Sequence, residues 1–387
     1  MIVAIASIIT FFLGLYRFQW ALIWFIFCLP FFPRSIAVAI GSSGLALTQR
    51  RAGVIILFGM FFVYLIVNNG WQKKIIFLIK KQRLFFFILS SLLILKLTST
   101  LINSGASSLI YVTDEILFSI FILFSVFVSI NTFEDEKKFI LIMILGFILS
   151  GLLTGLDQVK EAPLLQGVID VEVATSKEDV LASRERGDHF RSQALFDNPL
   201  LLSEFACLVM PFLLLGMKIF SSRKKYFILI ALFFLPFIIW SVYARSGLVV
   251  ALAGLIAFYF IIYWRNSGRV FRSILAFIVI AILFSLSFIT VDVINNSDHY
   301  FSSADQGGVS ALERVSQYLI VSKSVMESPV IGFGMSQNLI DDFDFLNHLD
   351  SYWLRVLLEV GFVGLLMFAI LVAMMVKMSI NGLQKSK

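Results

Sequence analysis

Residues 328–366 read SPVIGFGMSQNLIDDFDFLNHLDSYWLRVLLEVGFVGLL. A proline-led stretch with glycines at 332 and 334 gives way to a dense set of ionisable groups, Asp341, Asp342, Asp344, His348 and Asp350. An apolar run over residues 352–376 follows at once and carries Arg355 and Glu359 in its first half. That run exceeds the roughly 20 residues a helix needs to cross a ~30 Å hydrocarbon core. Ionisable groups set directly against a span are the arrangement of a reactive site held at a membrane surface.

Outward from this stretch the chain keeps the same character. Of its 387 residues 59% are hydrophobic and 14% charged, 42 are phenylalanine, and the mean hydropathy is +0.93. A soluble domain could not hide that much apolar surface, so the fold class is an all-α polytopic transmembrane bundle. Apolar runs at residues 2–16, 18–33, 52–69, 84–102, 109–130, 139–156, 200–218, 226–243, 247–264, 271–291 and 352–376 predict about eleven spans, within a range of ten to twelve. The bundle is expected to form a single membrane-embedded domain over residues 1–387. The first run has no basic leader and no clear cleavage site, so it reads as a short retained span.

Charge sets the orientation. Arg17, the group Lys73, Lys74, Lys80, Lys81 and Arg83, then Lys137 and Lys138, Arg223 to Lys225, Arg265, Arg269 and Arg272, and Lys377 alternate along the spans. With all of these in the cytoplasm, the positive-inside tendency puts the N-terminus outside and the C-terminus inside. Arg50 and Arg51 conflict with that assignment. They follow SIAVAIGSSGLALTQR, which reads as a short loop or a re-entrant half-helix. The net charge of +6 therefore reports topology rather than a nucleic-acid partner. Two cysteines, Cys28 and Cys207, both in predicted spans, support neither a disulfide nor a metal framework.

The same topology places two long polar loops, residues 157–199 and 292–351, on the outer face. All three histidines, His189, His299 and His348, lie in them. Loops of this length are commonly functional. In the first loop Arg191 precedes FDNP, where Pro199 opens an apolar helix. A helix N-terminus beside an arginine favours phosphate; alternatively Arg184, Arg186 and Arg191 are solvated charges paired with Glu185 and Asp188. Arg245 is the one charge in WSVYARSGLVVALAGLI, and its guanidinium suits a diphosphate or snorkels to headgroups. Arg314 opens a helical stretch with Leu312, Val315, Leu319 and Ile320 on one face, compatible with a helix on the bilayer surface. Lys96, Asp114, Glu115, Glu204 and Arg355 fall within spans, where they are costly unless they face water or pair with one another.

Taken in order, Arg191 with Asn-Pro, Arg245 with Ser-Gly, Arg314, PVIGFG and DSYWLRVLLEVG resemble the signature of the bacterial O-antigen ligase and polysaccharide polymerase family. The commoner family pattern starts its last motif with histidine, nine residues before a glutamate. Counting back from Glu359 lands on Asp350, with His348 two residues earlier. The aspartate variant resembles members associated with exopolysaccharide polymerisation.

The resemblance implies glycan transfer from an undecaprenyl-diphosphate-linked donor to an acceptor hydroxyl, without metal or other cofactor, at the outer face of a bacterial cytoplasmic membrane. Arg191, Arg245 and Arg314 would hold the diphosphate. Asp350 or His348 would take the acceptor proton, although Asp350 also suits a helix N-cap. The aspartate favours a polymerase that extends lipid-linked repeat units of surface polysaccharide. A ligase acting on a lipid A-core acceptor of lipopolysaccharide is the enzymatic alternative, and a flippase for lipid-linked sugars the rival of another class. A flippase and a chain-length regulator are also expected partners. Metal binding at Asp341, Asp342 and Asp344 is a weaker alternative.

Overall fold

The computed structural model describes residues 2–32, 37–40, 45–103, 105, 108–130, 132–162, 164, 185–186, 189–196, 198–242, 317–335 and 352–385. In chain order these form α1 (Ile2–Tyr16), α2 (Phe18–Cys28) with a 3-10 turn at Leu29–Phe31, and the strands β1 (Ala37–Ile40) and β2 (Leu45–Thr48). Next come α3 (Gln49–Val67), α4 (Asn69–Lys81), α5 (Arg83–Asn103) and α6 (Leu109–Glu115), then a π-helical segment Ile116–Phe121 leading to α7 (Ile122–Ser129). They are followed by α8 (Phe133–Lys160), the two-residue strands β3 (Glu185–Arg186) and β4 (His189–Phe190), α9 (Pro199–Ile219), α10 (Ser222–Val242), α11 (residues 317–325) and α12 (Tyr352–Lys385).

Seven of these stretches are long and apolar enough to cross a membrane, and α1 and α2 are shorter apolar helices. The protein is an integral membrane protein built of helices. Every expected span falls on one of them except 247–264 and 271–291, which lie outside the described residues.

Three details go beyond the sequence expectation. The piece read as a loop or half-helix is an antiparallel hairpin, with Ala37 opposite Thr48 and Ile40 opposite Leu45. Its two short apolar strands are separated in sequence by Gly-Ser-Ser-Gly, a composition that costs a helix more than a hairpin. The basic cluster after residue 69 is itself helical, as α4. Helix α8 begins six residues before the apolar run because Thr132 and Asp135 form a reciprocal capping box. Glu134, Asp135 and Glu136 also sit where the helix dipole favours negative charge.

Contacts divide the chain into two compact units, Met1–Trp71 with Ile122–Arg272, and Gln72–Phe121 with Ser273–Lys387. In the first, α1 packs on α2 and α3, and α8, α9 and α10 pack on one another. Ile144 and Phe147 of α8, Leu202 and Leu213 of α9, and Ile228 and Ile238 of α10 are buried together. Apolar helices gain little by hiding from lipid, so close approach at small residues carries the packing. The Phe25 ring lies 2.6 Å from where a Cβ on Gly53 would stand, and the Phe234 ring fills the equivalent space at Gly151. In the second unit α5 packs along α12, around Phe85, Leu92, Val356, Val360 and Leu371. Val321 and Val325 of α11 bury against Leu354 and Leu358 of α12.

Gly151 and Gly155 lie one turn apart on α8, but nothing stands within 4 Å of a Cβ at Gly155. Gly151→Ala is expected to lower stability by about 1–3 kcal/mol through overpacking against Phe234, whereas Gly155→Ala is neutral or slightly stabilising. Thermal unfolding of the two variants in detergent makes the comparison.

Candidate functional site

In the second unit the PVIGFG turn and the LLEVG helix, separated by more than twenty residues of sequence, meet in one structure. Helix α12 breaks at Gly361, which adopts φ 65° and ψ −168°. That region of backbone space is essentially closed to residues with a Cβ. The break turns the Phe362 amide away from its helical acceptor, and it donates instead to the Pro329 carbonyl at 2.8 Å. The carbonyls released by the break are taken up in return. Phe333 N donates to Leu358 O and Gly334 N to Glu359 O, each at 2.9 Å.

Helix α5 closes the third side of this junction. Ser99 Oγ donates to the Glu359 carbonyl at 3.2 Å, Thr100 Oγ1 accepts from Met335 N at 3.0 Å, and Asn103 Nδ2 donates to Gly332 O at 3.1 Å. Approach is closest at Gly334, which has φ 77°; a Cβ there would stand 2.5 Å from the Thr100 Cα. Glycine spacing that looked like a generic turn is thus the fit of one backbone against two others.

A buried charge network lies beside the junction. Lys96 Nζ contacts both oxygens of Glu115 at 2.7 Å and Glu359 Oε2 at 3.1 Å. Arg355 Nε donates to the other Glu359 oxygen at 2.7 Å, and the Tyr352 hydroxyl to Glu115 Oε1 at 3.2 Å. Lys96 is 3% exposed and the Glu359 side chain 8%. Two cations and two carboxylates give a formally neutral cluster, the form in which charge is tolerated inside a membrane. The sequence left open whether these groups pair or line a cavity; Lys96, Glu115, Arg355 and Glu359 pair. Glu204 lies on an exposed face of α9.

In the first unit the structure describes Arg191 and the loop that holds it. Asp157, fully buried in the last turn of α8, accepts from Ala194 N at 2.7 Å and Gln193 N at 3.1 Å through Oδ2, and from Leu164 N at 2.9 Å through Oδ1. A carboxylate that gathers three amides is a strong local clamp. Gln158 Nε2 donates to Ser192 Oγ at 2.8 Å, and Ser192 N to the Ser241 carbonyl at 3.2 Å. Arg191 Nε then donates to the carbonyl of Val242, the last residue of α10, at 2.9 Å. A cation is favoured at a helix C-terminus. Asn198, whose side chain accepts from Leu200 N at 2.6 Å, and Pro199 start α9 as expected.

Sequence reasoning missed Asp157 and Gln158, assigning them to the start of a loop. A carboxylate one turn inside the end of a long apolar helix was the available signal. Arg245, Arg314, His348 and Asp350 lie outside the described residues, as do Asp341, Asp342 and Asp344. Among the described residues no group of three or more His, Cys, Asp or Glu could hold a metal ion.

Two substitutions probe the second unit. Lys96→Met leaves the half-buried Glu115 without its cation and the buried Glu359 with Arg355 alone, and is expected to cost about 3 kcal/mol; replacing Glu115 by Met as well should recover most of it. Gly361→Ala should lower the melting temperature and reduce protection of the Gly334 amide in hydrogen exchange, since the turn depends on the break.

Residues 206–369 match the model of the family described as O-antigen ligase, a stretch running from α9 to the middle of α12. No curated protein and no solved structure matches the chain. The matched region contains the turn, the break, Glu359, Arg245, Arg314, His348 and Asp350, and over this stretch the chain is similar to the O-antigen ligase family.

Proposed function

We propose that this enzyme of the O-antigen ligase type polymerises undecaprenyl-diphosphate-linked repeat units on the outer side of the bacterial cytoplasmic membrane. The acceptor sugar hydroxyl attacks the anomeric carbon of the donor. The glycosidic bond forms as the carbon–oxygen bond to the diphosphate breaks, and the bonding pair leaves on the diphosphate oxygen. The hydroxyl proton passes to the Asp350 carboxylate, or to the His348 imidazole. Arg191, Arg245 and Arg314 bind the diphosphate and balance the charge that develops on it.

The observation that carries this reading is the anchoring of Arg191 on the Val242 carbonyl. Arg245 follows Val242 by three residues, and three peptide units reach no more than about 11 Å. That closeness in sequence supports a shared role for Arg191 and Arg245 on the two phosphoryl groups of one diphosphate. Asp350 precedes Tyr352, the first residue of α12, by two positions. The turn and charge network therefore supply a rigid base on the C-terminal side of the proposed acceptor residues.

The description of the matched family favours a second reading, transfer of a finished chain to lipid A-core or another acceptor. Surface and carrier-linked glycans from cells lacking the gene separate the two. Single repeat units alone mean a polymerase; long chains accumulating on the carrier mean a ligase. Complementation with Arg245→Ala should lower the rate on the order of 10²–10³-fold, and full rescue would remove the diphosphate role. Failure of Asp350→Ala with rescue by His348→Ala would assign the proton acceptor.

A further inference from the structure

Helix α4 stands apart from the packing described above. None of its residues is buried, and it carries Lys73, Lys74, Lys80 and Lys81 with no acidic residue. Between the lysine pairs the sequence is wholly apolar, and Ile76, Phe77 and Ile79 are 52%, 64% and 41% exposed. The Lys81 Nζ lies 5.8 Å from the centroid of the Phe77 ring, so amine and aromatic face are side by side. Water is a poor surrounding for such a surface.

Length and flanks say where the helix lies. Thirteen residues at ~1.5 Å each extend only about 20 Å, too short to span a ~30 Å core even without four lysines. The candidate spans Gln49–Val67 and Arg83–Asn103 bracket it in sequence. Its first turn is not a loose tether, because Trp71 packs on Phe18 at 5.2 Å, Tyr64 at 5.4 Å and Phe61 at 5.5 Å between ring centroids. A short helix between two spans, apolar in its middle and cationic at both ends, belongs in the headgroup layer.

We propose that α4 binds anionic phospholipid headgroups, with Ile76 and Ile79 at the headgroup–acyl boundary and Lys73, Lys74, Lys80 and Lys81 among the phosphates. Charge complementarity selects this occupant. Zwitterionic lipid covers the apolar residues equally well, but only an anionic surface answers four amines on a helix without a carboxylate, each favoured about fivefold there. The binding is independent of glycosyl transfer and sits on the face that the basic clusters mark as cytoplasmic.

The test uses the full chain in vesicles of phosphatidylcholine alone, or with roughly one-third phosphatidylglycerol. A nitroxide is attached at Ile76→Cys in a background of Cys28→Ala and Cys207→Ala. Oxygen accessibility should exceed nickel-complex accessibility in both vesicles, and phosphatidylglycerol should further slow the label at low salt. Replacing the four lysines of α4 by glutamine should abolish the phosphatidylglycerol-dependent part. If that background fails to fold, native mass spectrometry of the otherwise unaltered protein and its four-glutamine variant counts retained phosphatidylglycerol, which should fall at least about twofold. A label preferring the nickel complex, equal mobility in the two vesicles, an unchanged response or lipid count in the glutamine variant, or spin–spin broadening from a second copy would each overturn the proposal.

Discussion

A helix that breaks inside a membrane frees amides and carbonyls that no water can reach. In this protein the break at Gly361 is matched group for group by a turn twenty-seven residues upstream, counting from Gly334 to Gly361. Phe362 donates to Pro329, while Leu358 and Glu359 accept from Phe333 and Gly334. The turn in return loses its own need for solvent. Each element satisfies the other's exposed backbone groups, and Ser99, Thr100 and Asn103 of α5 hold the two together.

The charge network follows from that pairing. Ser99 touches the Glu359 carbonyl at the break, and Lys96, one turn earlier on α5, meets the Glu359 carboxylate. A main-chain joint and a side-chain ion cluster therefore share one residue. Arg355, one turn before Glu359, adds the second cation, and Glu115 supplies the balancing charge. An exposed salt bridge would contribute little, but removing one partner of a buried cluster strands a charge where solvation is poor. The network resists rotation of α12 because each of its carboxylates is gripped from more than one side.

In the first unit a different device serves the same end. Asp157 fixes a turn in the irregular chain after β4 by gathering amides, and this leaves Arg191 beside the end of α10. Ala194 tolerates φ 50° within this turn, a conformation held by the two amides bonded to Asp157 at residues 193 and 194. Such a loop is ordered by its hydrogen bonds together with the burial of Ala194 and the packing of Phe196 on the core of the first unit. Its arginine is therefore carried on a stiff support, which suits recognition of a planar or paired anion.

Much of this architecture is legible in the order of the residues alone. Hydropathy locates the described spans, since the cost of unsatisfied backbone in lipid leaves long apolar segments no alternative to helix. The order of Arg191, Arg245, PVIGFG and LLEVG suffices to suggest the family, and Lys96, Glu115 and Arg355 stand out as charges that need partners. Which charges pair is not legible, because Lys96 and Glu359 are 263 residues apart and meet only through packing of α5 on α12. The roles of Gly334 and Gly361 are equally hidden: a glycine in sequence states that a backbone is free, and only the neighbour pressed against it states why. The sequence by itself determined a helical membrane protein and its resemblance to a family. Tertiary structure decided that a turn fills a helix break, that four charges around the buried Lys96 and Glu359 neutralise one another, and that Asp157 holds the Arg191 loop, because each depends on groups brought together from distant parts of the chain.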